Sequence, residues 1–411
     1  MNEQRFALPP AALRLLAAAP HRLLFFVGAA NILLAMGWWT AWLCGARWQV
    51  LPNFPAATVP AGWMHAVVMQ YQVLPAFMFG FLLTVFPRWM NLAALTRRHY
   101  VPVAVGLLGG QALTLAALIG GWPLLQAGAW LTIAGWSIGT LILGEQVRRA
   151  AGRTWHAVSC LAALVFGFAG LVCYILFLYR FDAWLMFVAI KLGSVTVLLP
   201  IFFTVCHRMI PFFAASALAG YEMVRPLWAL AWFWIAILAH VLLELKHAYA
   251  WVWLADLPLA TLAAWLLWAW WPRGSVMPPL LKVLFIGFAW LPVAFALYTL
   301  QSLYYAATGN YILGRGPAHA LFVGCFGSLL VAMVTRVTQG HSGRPLVLGR
   351  VAACAFVVVQ GVAILRVLAD MLPDALAWQA IAATGWMTAF LPWVARSAWI
   401  YLTPRVDGKP G

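Results

Sequence analysis

Residues 23–44 read LLFFVGAANILLAMGWWTAWLC. No charged side chain interrupts this run. As a helix rising about 1.5 Å per residue it spans a hydrocarbon core of about 30 Å. Arg5, Arg14 and Arg22 precede it, as they would in a signal peptide. The apolar core of a signal peptide is only about 7–15 residues long. The run is therefore an uncleaved first membrane span.

Eleven further apolar runs follow: 63–86, 101–119, 124–144, 157–179, 183–206, 226–243, 249–271, 277–300, 317–338, 347–368 and 378–402. Twelve spans of about 22 residues would use about 264 positions. The chain has 411 residues, of which 65% are hydrophobic and 8% charged, against about 25% charged in a soluble domain. A soluble globular protein, a disordered chain and an outer-membrane barrel are excluded, the last because barrel strands alternate in polarity. The expected fold is all-α: a polytopic bundle of about twelve transmembrane helices, forming one domain over residues 1–411.

The charges test that count. The chain carries 25 Lys and Arg. With twelve spans, the side holding both termini receives 19 of them. The other side holds five: Arg47, Arg180, Lys246, Arg315 and Arg366. Lys191 remains inside a span. Basic residues collect on the cytoplasmic side, so both termini are expected there, in the inner membrane of a bacterium. The same rule accounts for the net charge of +16 and removes nucleic acid as a partner; the partner is the lipid bilayer. Six cysteines, Cys44, Cys160, Cys173, Cys206, Cys325 and Cys354, stand far apart and read as small apolar residues. No P-loop, G-x-S-x-G or dinucleotide fingerprint occurs, which disfavours a phosphate-driven pump and a serine hydrolase.

Ionisable groups inside a membrane mark function by default. Lys191 and Asp256 are the two clearest. Both sit toward the outer ends of spans six and eight, where they would pair with each other, snorkel, or line a path. Nine histidines divide by depth. His21, His99, His156, His207 and His341 lie at the cytoplasmic boundary; His65, His240, His247 and His319 lie toward the outer face. His65 opens span two and His319 opens span ten, so their side chains share one depth. Two imidazoles on facing helices can ligate both faces of a haem iron; ordinary interfacial hydrogen bonding is the bland alternative. His240, late in span seven, is a third candidate. Arg315 and Lys191, in the same membrane half, are candidate partners for haem propionates, and Trp63 and Tyr71 for the macrocycle. Met64, Met69 and Met78 near His65 read as packing residues.

On the cytoplasmic side, Val334 to Arg350 packs Arg336, Gly340, His341, Gly343, Arg344 and Pro345 into ten positions. Two glycines around His–Ser imply a tight turn with positive φ. The charge density exceeds what topology requires, so a structured loop is expected. Arg208-Met-Ile-Pro211-Phe212-Phe213 is a second loop of this kind. Both, with His21 and Arg22, should meet at one membrane face. Gly106/Gly110 and Gly135/Gly139 are G-x-x-x-G pairs suited to close helix contact.

These elements together resemble the NnrS family of bacterial membrane proteins. Pro20-His21-Arg22 matches the family's opening. Gly80-Phe81-Leu82-Leu83-Thr84, with Pro87 and Trp89, is similar to G-F-L-L-T-A-x-P-x-W. Arg208 to Phe213 is similar to R-x-x-P-F-F. His319-Ala320 with Gly324, then Arg336 and Gly340-His341-Ser342-Gly343-Arg344-Pro345, is similar to H-A-x-x-x-G followed by R-x-x-x-G-H-T-G-R-P. The resemblance covers nearly the whole chain. It implies a twelve-helix protein associated with haem b and copper, nitric oxide stress and denitrifying growth. The chain departs from the pattern where the family has H-A-H-E-M: here it reads His65-Ala66-Val67-Val68-Met69. Phe285 stands where a histidine is expected in span nine. His65 and His319 survive, enough for haem; a separate copper centre wants three or four ligands and is disfavoured. The expected function is a haem-binding protein of the nitric oxide response that binds or turns over NO or passes electrons, from a donor the sequence does not name. The alternative is a metal-free transporter or scaffold using Lys191 and Asp256.

Overall fold

A computed structural model describes residues 12–50, 55 and 57–408. The topogenic residues Arg5 and Lys409 lie outside them. A short turn of helix, Ala12–Leu16, precedes twelve long helices. These are α1 Pro20–Trp48, α2 Ala61–Trp89, α3 Arg97–Gly120, α4 Trp122–Arg149, α5 Trp155–Arg180, α6 Ala183–Ala217, α7 Leu227–Leu245, α8 Tyr249–Trp270, α9 Pro279–Thr308, α10 Gly316–His341, α11 Arg350–Met371 and α12 Ala375–Leu402. No strand occurs among the described residues. Eleven of the twelve are long and apolar enough to cross a membrane. The twelfth, α12, is equally long at 28 residues. Its tryptophans, threonines, Gln379 and Arg396 lower its mean hydropathy, although it packs along α1. The helix ends follow ordinary local chemistry. Pro20 opens α1 and Asp182 caps α6 by accepting from Trp184 N at 2.9 Å. Gly309, at φ 72°, closes α9.

Three helices form the centre. Their apolar windows are 89% (α2), 67% (α6) and 78% (α10) buried, against 33–56% for the other eight spans. These three also carry π-helical segments, at Met69–Val73, Leu192–Leu198 and Ala320–Gly327. Such segments shift the side-chain register and gather at functional sites. His65 stands four residues before the first, and Lys191 and His319 immediately precede the other two.

Glycine brings α3 and α4 together. A Cβ on Gly106 would stand 2.5 Å from Gly135 Cα, and one on Gly110 would meet Gly128 O and Thr132. Gly139, the other half of its expected pair, receives the Phe79 ring from α2 instead. Beside this contact lies a buried neutral network. Asn31 Nδ2 donates to Gln72 O and Leu107 O. Gln72 Nε2 donates to the hydroxyls of Thr114 and Thr132, and Gln111 Nε2 to Asn31 O. Amides can be buried in this way because each nitrogen finds an oxygen.

The two expected cytoplasmic loops are largely helical. Membrane helices tolerate proline, so α6 runs through Pro211 to Ala217, and α10 runs to His341. The turn begins at Ser342, and only Gly343 takes positive φ, at 70°. A Cβ there would lie 2.6 Å from Asp407 Cγ.

Candidate functional site

At the arginine-poor end, α2 and α10 present His65 and His319 side by side. His319 lies within the field of His65, and both lie within that of Arg366 of α11. Arg315 closes the group from the turn before α10, its guanidinium reaching over Gly62 of α2. The rings keep some accessible surface although protein surrounds them.

The hydrogen bonds fix what each imidazole offers. His319 Nδ1–H donates to Arg315 O at 2.9 Å. Its Nε2 is then the lone-pair nitrogen, and Arg366 Nη2 donates to it at 3.0 Å. A backbone carbonyl on Nδ1 is the usual device for presenting Nε2 to a metal. His65 stacks on Trp39 at 4.4 Å and 12°, and its buried Nδ1 has no hydrogen-bond partner among the described residues. Arg366 Nη1 is likewise buried without a hydrogen-bond partner, 3.6 Å from Asp370 Oδ1. Asp370 Oδ2 accepts from the Arg315 backbone N–H at 2.8 Å, tying the α11 end to the α10 start. An orphaned imidazole nitrogen, a tautomer set for ligation and an orphaned guanidinium N–H suit a haem with a propionate. They do not suit a three-ligand copper centre: among the described residues no three His, Cys, Asp or Glu side chains gather as a metal group.

Other expected members of this site stand elsewhere. His240 has no nitrogen to offer. Its Nδ1 lies 2.5 Å from Asp256 Oδ1 and its Nε2 3.2 Å from Glu244 Oε2. Lys191 Nζ lies 2.5 Å from Glu244 Oε1, so it is not available to a propionate, and it does not pair with Asp256. Trp63 meets Phe177 edge-on, and the Tyr71 hydroxyl donates to Ala189 O at 2.5 Å. Three residues escaped the sequence reading. Glu244 falls one position beyond the apolar run 226–243, but its i+4 spacing from His240 was a usable signal. Arg366 counted only as topogenic charge. Trp39 is one of 25 tryptophans, with nothing local to single it out.

The arginine-rich end is a structured surface. His21 of α1 and His341 of α10 face each other at 4.2 Å between ring centroids. The His21 backbone N–H donates to Thr84 Oγ1 at 3.1 Å, and Gly80 leaves room for Phe25. Arg208 lies over Trp89 at 4.5 Å and Arg336 over Phe213 at 4.1 Å. Arg22 Nη1 donates to Tyr401 O and Thr403 O, closing α12. Arg405 Nη1 donates to His341 O at 2.9 Å, closing α10. Burial lowers the pKa of Arg344 from its ordinary value. The remaining histidines are spent locally. His99 caps α3, His247 bonds Tyr249, and His156 Nε2 stands 2.9 Å from His207 Nδ1.

Among the described residues, twelve long and largely apolar helices, eleven of them long and apolar enough to cross a membrane, define a multi-pass membrane protein. Residues 15–405 match the family model described as NnrS protein, and the chain belongs to that family. Among curated proteins no sequence matches it.

Proposed function

We propose that the chain is a haem-b-binding membrane protein of the nitric oxide response, in which His65 and His319 would hold the haem. One observation carries the reading: His65 of α2 and His319 of α10 share Arg366 as a neighbour, and Arg315 O presets the His319 tautomer. Arg366, and Arg315 beside it, would hold the propionates through charge-assisted bonds. Trp39 would fix the plane of the His65 ring. The bound haem would supply an iron centre for binding NO or passing electrons. The protein would hold it near the outer face, with the termini in the cytoplasm.

The test is the optical spectrum of the purified protein together with its pyridine haemochrome. A Soret band that shifts on reduction and on adding NO is expected. His65→Ala and His319→Ala should each lose most of the haem. Full haem with an unchanged spectrum in both variants would rule this ligand pair out.

A further inference from the structure

Beyond that reading, α6, α7 and α8 bury a line of alternating charges: Lys191, Glu244, His240, Asp256. Lys191 Nζ to Glu244 Oε1 is 2.5 Å, Glu244 Oε2 to His240 Nε2 is 3.2 Å, and His240 Nδ1 to Asp256 Oδ1 is 2.5 Å. Side-chain exposure falls steadily along it, from 24% through 9% and 2% to 0%. The line therefore has an open end at Lys191 and a closed end at Asp256. Glu244 Oε2, at ion-pair distance from His240, and Asp256 Oδ2, at the closed end, are both buried with no hydrogen-bond partner among the described residues. A buried carboxylate oxygen without a donor favours the protonated acid. Both His240 nitrogens face carboxylates, so both carry hydrogen. One ammonium and one imidazolium then balance two carboxylates. Among the described residues, His247 and three phenols lie beside this line: His247 stacks on Phe187, over whose ring Lys191 Nζ stands, and bonds the Tyr249 hydroxyl. Tyr298 of α9 stands 5.4 Å edge-on to the His240 ring, and Tyr249 and Tyr311 lie within the field of Glu244.

A structural ion pair needs two charges. Four in series, with an imidazole between two acids and one open end, are the parts of a proton conductor. We propose that Lys191, Glu244, His240 and Asp256 form a proton-transfer chain from the outer water layer to the interior of the bundle. In one passage the His240 Nδ1–H bond breaks and an Asp256 O–H bond forms. The proton stays on Asp256. The neutral imidazole turns and brings its bare nitrogen to Glu244. A Lys191 N–H bond breaks, a Glu244 O–H bond forms, and Glu244 passes the proton to the waiting nitrogen. Outer water reprotonates the Lys191 amine. One proton has moved inward onto Asp256, Glu244 is again ionised, and no electron has moved.

The experiment uses the full chain in phosphatidylcholine liposomes, stepped from about pH 8 to about pH 5 while the protonated-carboxyl infrared band is followed. This band lies apart from haem absorption, so the outcome is independent of the haem reading. Wild type is expected to show a band that shifts in D2O and is lost in Asp256→Asn. Lys191→Arg keeps a positive charge beside Glu244 but cannot release its proton. It should slow the band's appearance by about a hundred-fold, with a thermal midpoint near wild type. Lys191→Gln combined with Glu244→Gln keeps a neutral hydrogen bond and should slow it as much. If Lys191→Arg does not fold, the double variant decides alone. No exchangeable carboxyl band in wild type, or the wild-type rate in the folded variants, would overturn the proposal.

Discussion

His319 and His240 lie at the same end of the bundle, on apolar helices, yet their chemistry is opposite. His240 has a carboxylate at each ring nitrogen, Asp256 at 2.5 Å and Glu244 at 3.2 Å. It is an imidazolium with no lone pair. His319 has a carbonyl at Nδ1 and a guanidinium N–H at Nε2. It is a neutral ring whose lone pair points at a donor that another group could replace. His65, stacked on Trp39 with an unpartnered nitrogen, belongs with His319. Depth and residue type do not make a ligand; the charges facing each nitrogen do.

The largest effect should come from breaking the charged line. Asp256→Ala leaves an imidazolium facing only Glu244 in the interior, and unpaired buried charges of this kind cost about 3–5 kcal/mol. A steep fall in thermal midpoint and in yield of folded protein is expected, with Asp256→Asn much milder. A midpoint unchanged by Asp256→Ala would break the comparison from the His240 side.

Removing His65 should do the reverse. Losing its ring from Trp39 costs about 1 kcal/mol, while haem content falls by most of its value. His240→Gln should keep haem. Haem lost equally from the His65, His319 and His240 variants would show the two groups to be one site. A smaller effect separates Arg366 from Lys191. Arg366→Gln, beside the histidines, should lower haem occupancy or shift its reduction midpoint, whereas Lys191→Arg should leave both as they are.

The arginine-rich end offers a control, since Gly343→Ala should act on stability alone. Positive φ in a residue with a Cβ costs about 1–2 kcal/mol, and Asp407 must move as well. Calorimetry with a haem assay would check both halves of that expectation. The smallest effect belongs to an exposed pair at the other end. Arg47 hydrogen-bonds Asp374 at 2.7 Å and holds its carboxyl below the ordinary range. Its contribution is therefore present above the unfolded value of about 3.9 and is lost as pH falls through the lowered folded value. Acidification from neutral pH should lower the wild-type midpoint slightly more than that of Asp374→Asn, which keeps the αL cap geometry.

Much of the architecture is legible in the chain because each local rule acts within one span. Apolar length gives the helices, and the distribution of arginine gives their alternation. Gly106 and Gly135 mark the α3–α4 contact because only glycine admits backbone at that distance. The Arg208 and Arg336 segments gave their location but not their form. The Arg208 segment proved to be helix, and the Arg336 segment is helix to His341 before its turn, because the helices project beyond the apolar runs that betray them.

By itself, then, the sequence determined twelve helices, which ends carry charge, and that His65 and His319 share a depth. These properties depend on one helix at a time. Only the tertiary structure decided which of the buried polar groups meet. It joined Asp256 to His240 and Lys191 to Glu244, placed Trp39 on His65, and brought Arg366 from α11 to His319. Helical periodicity sets the face of a residue only relative to its own helix. Which neighbour lies opposite that face depends on the packing of the whole bundle, and with it the protonation and ligand capacity of every histidine inside.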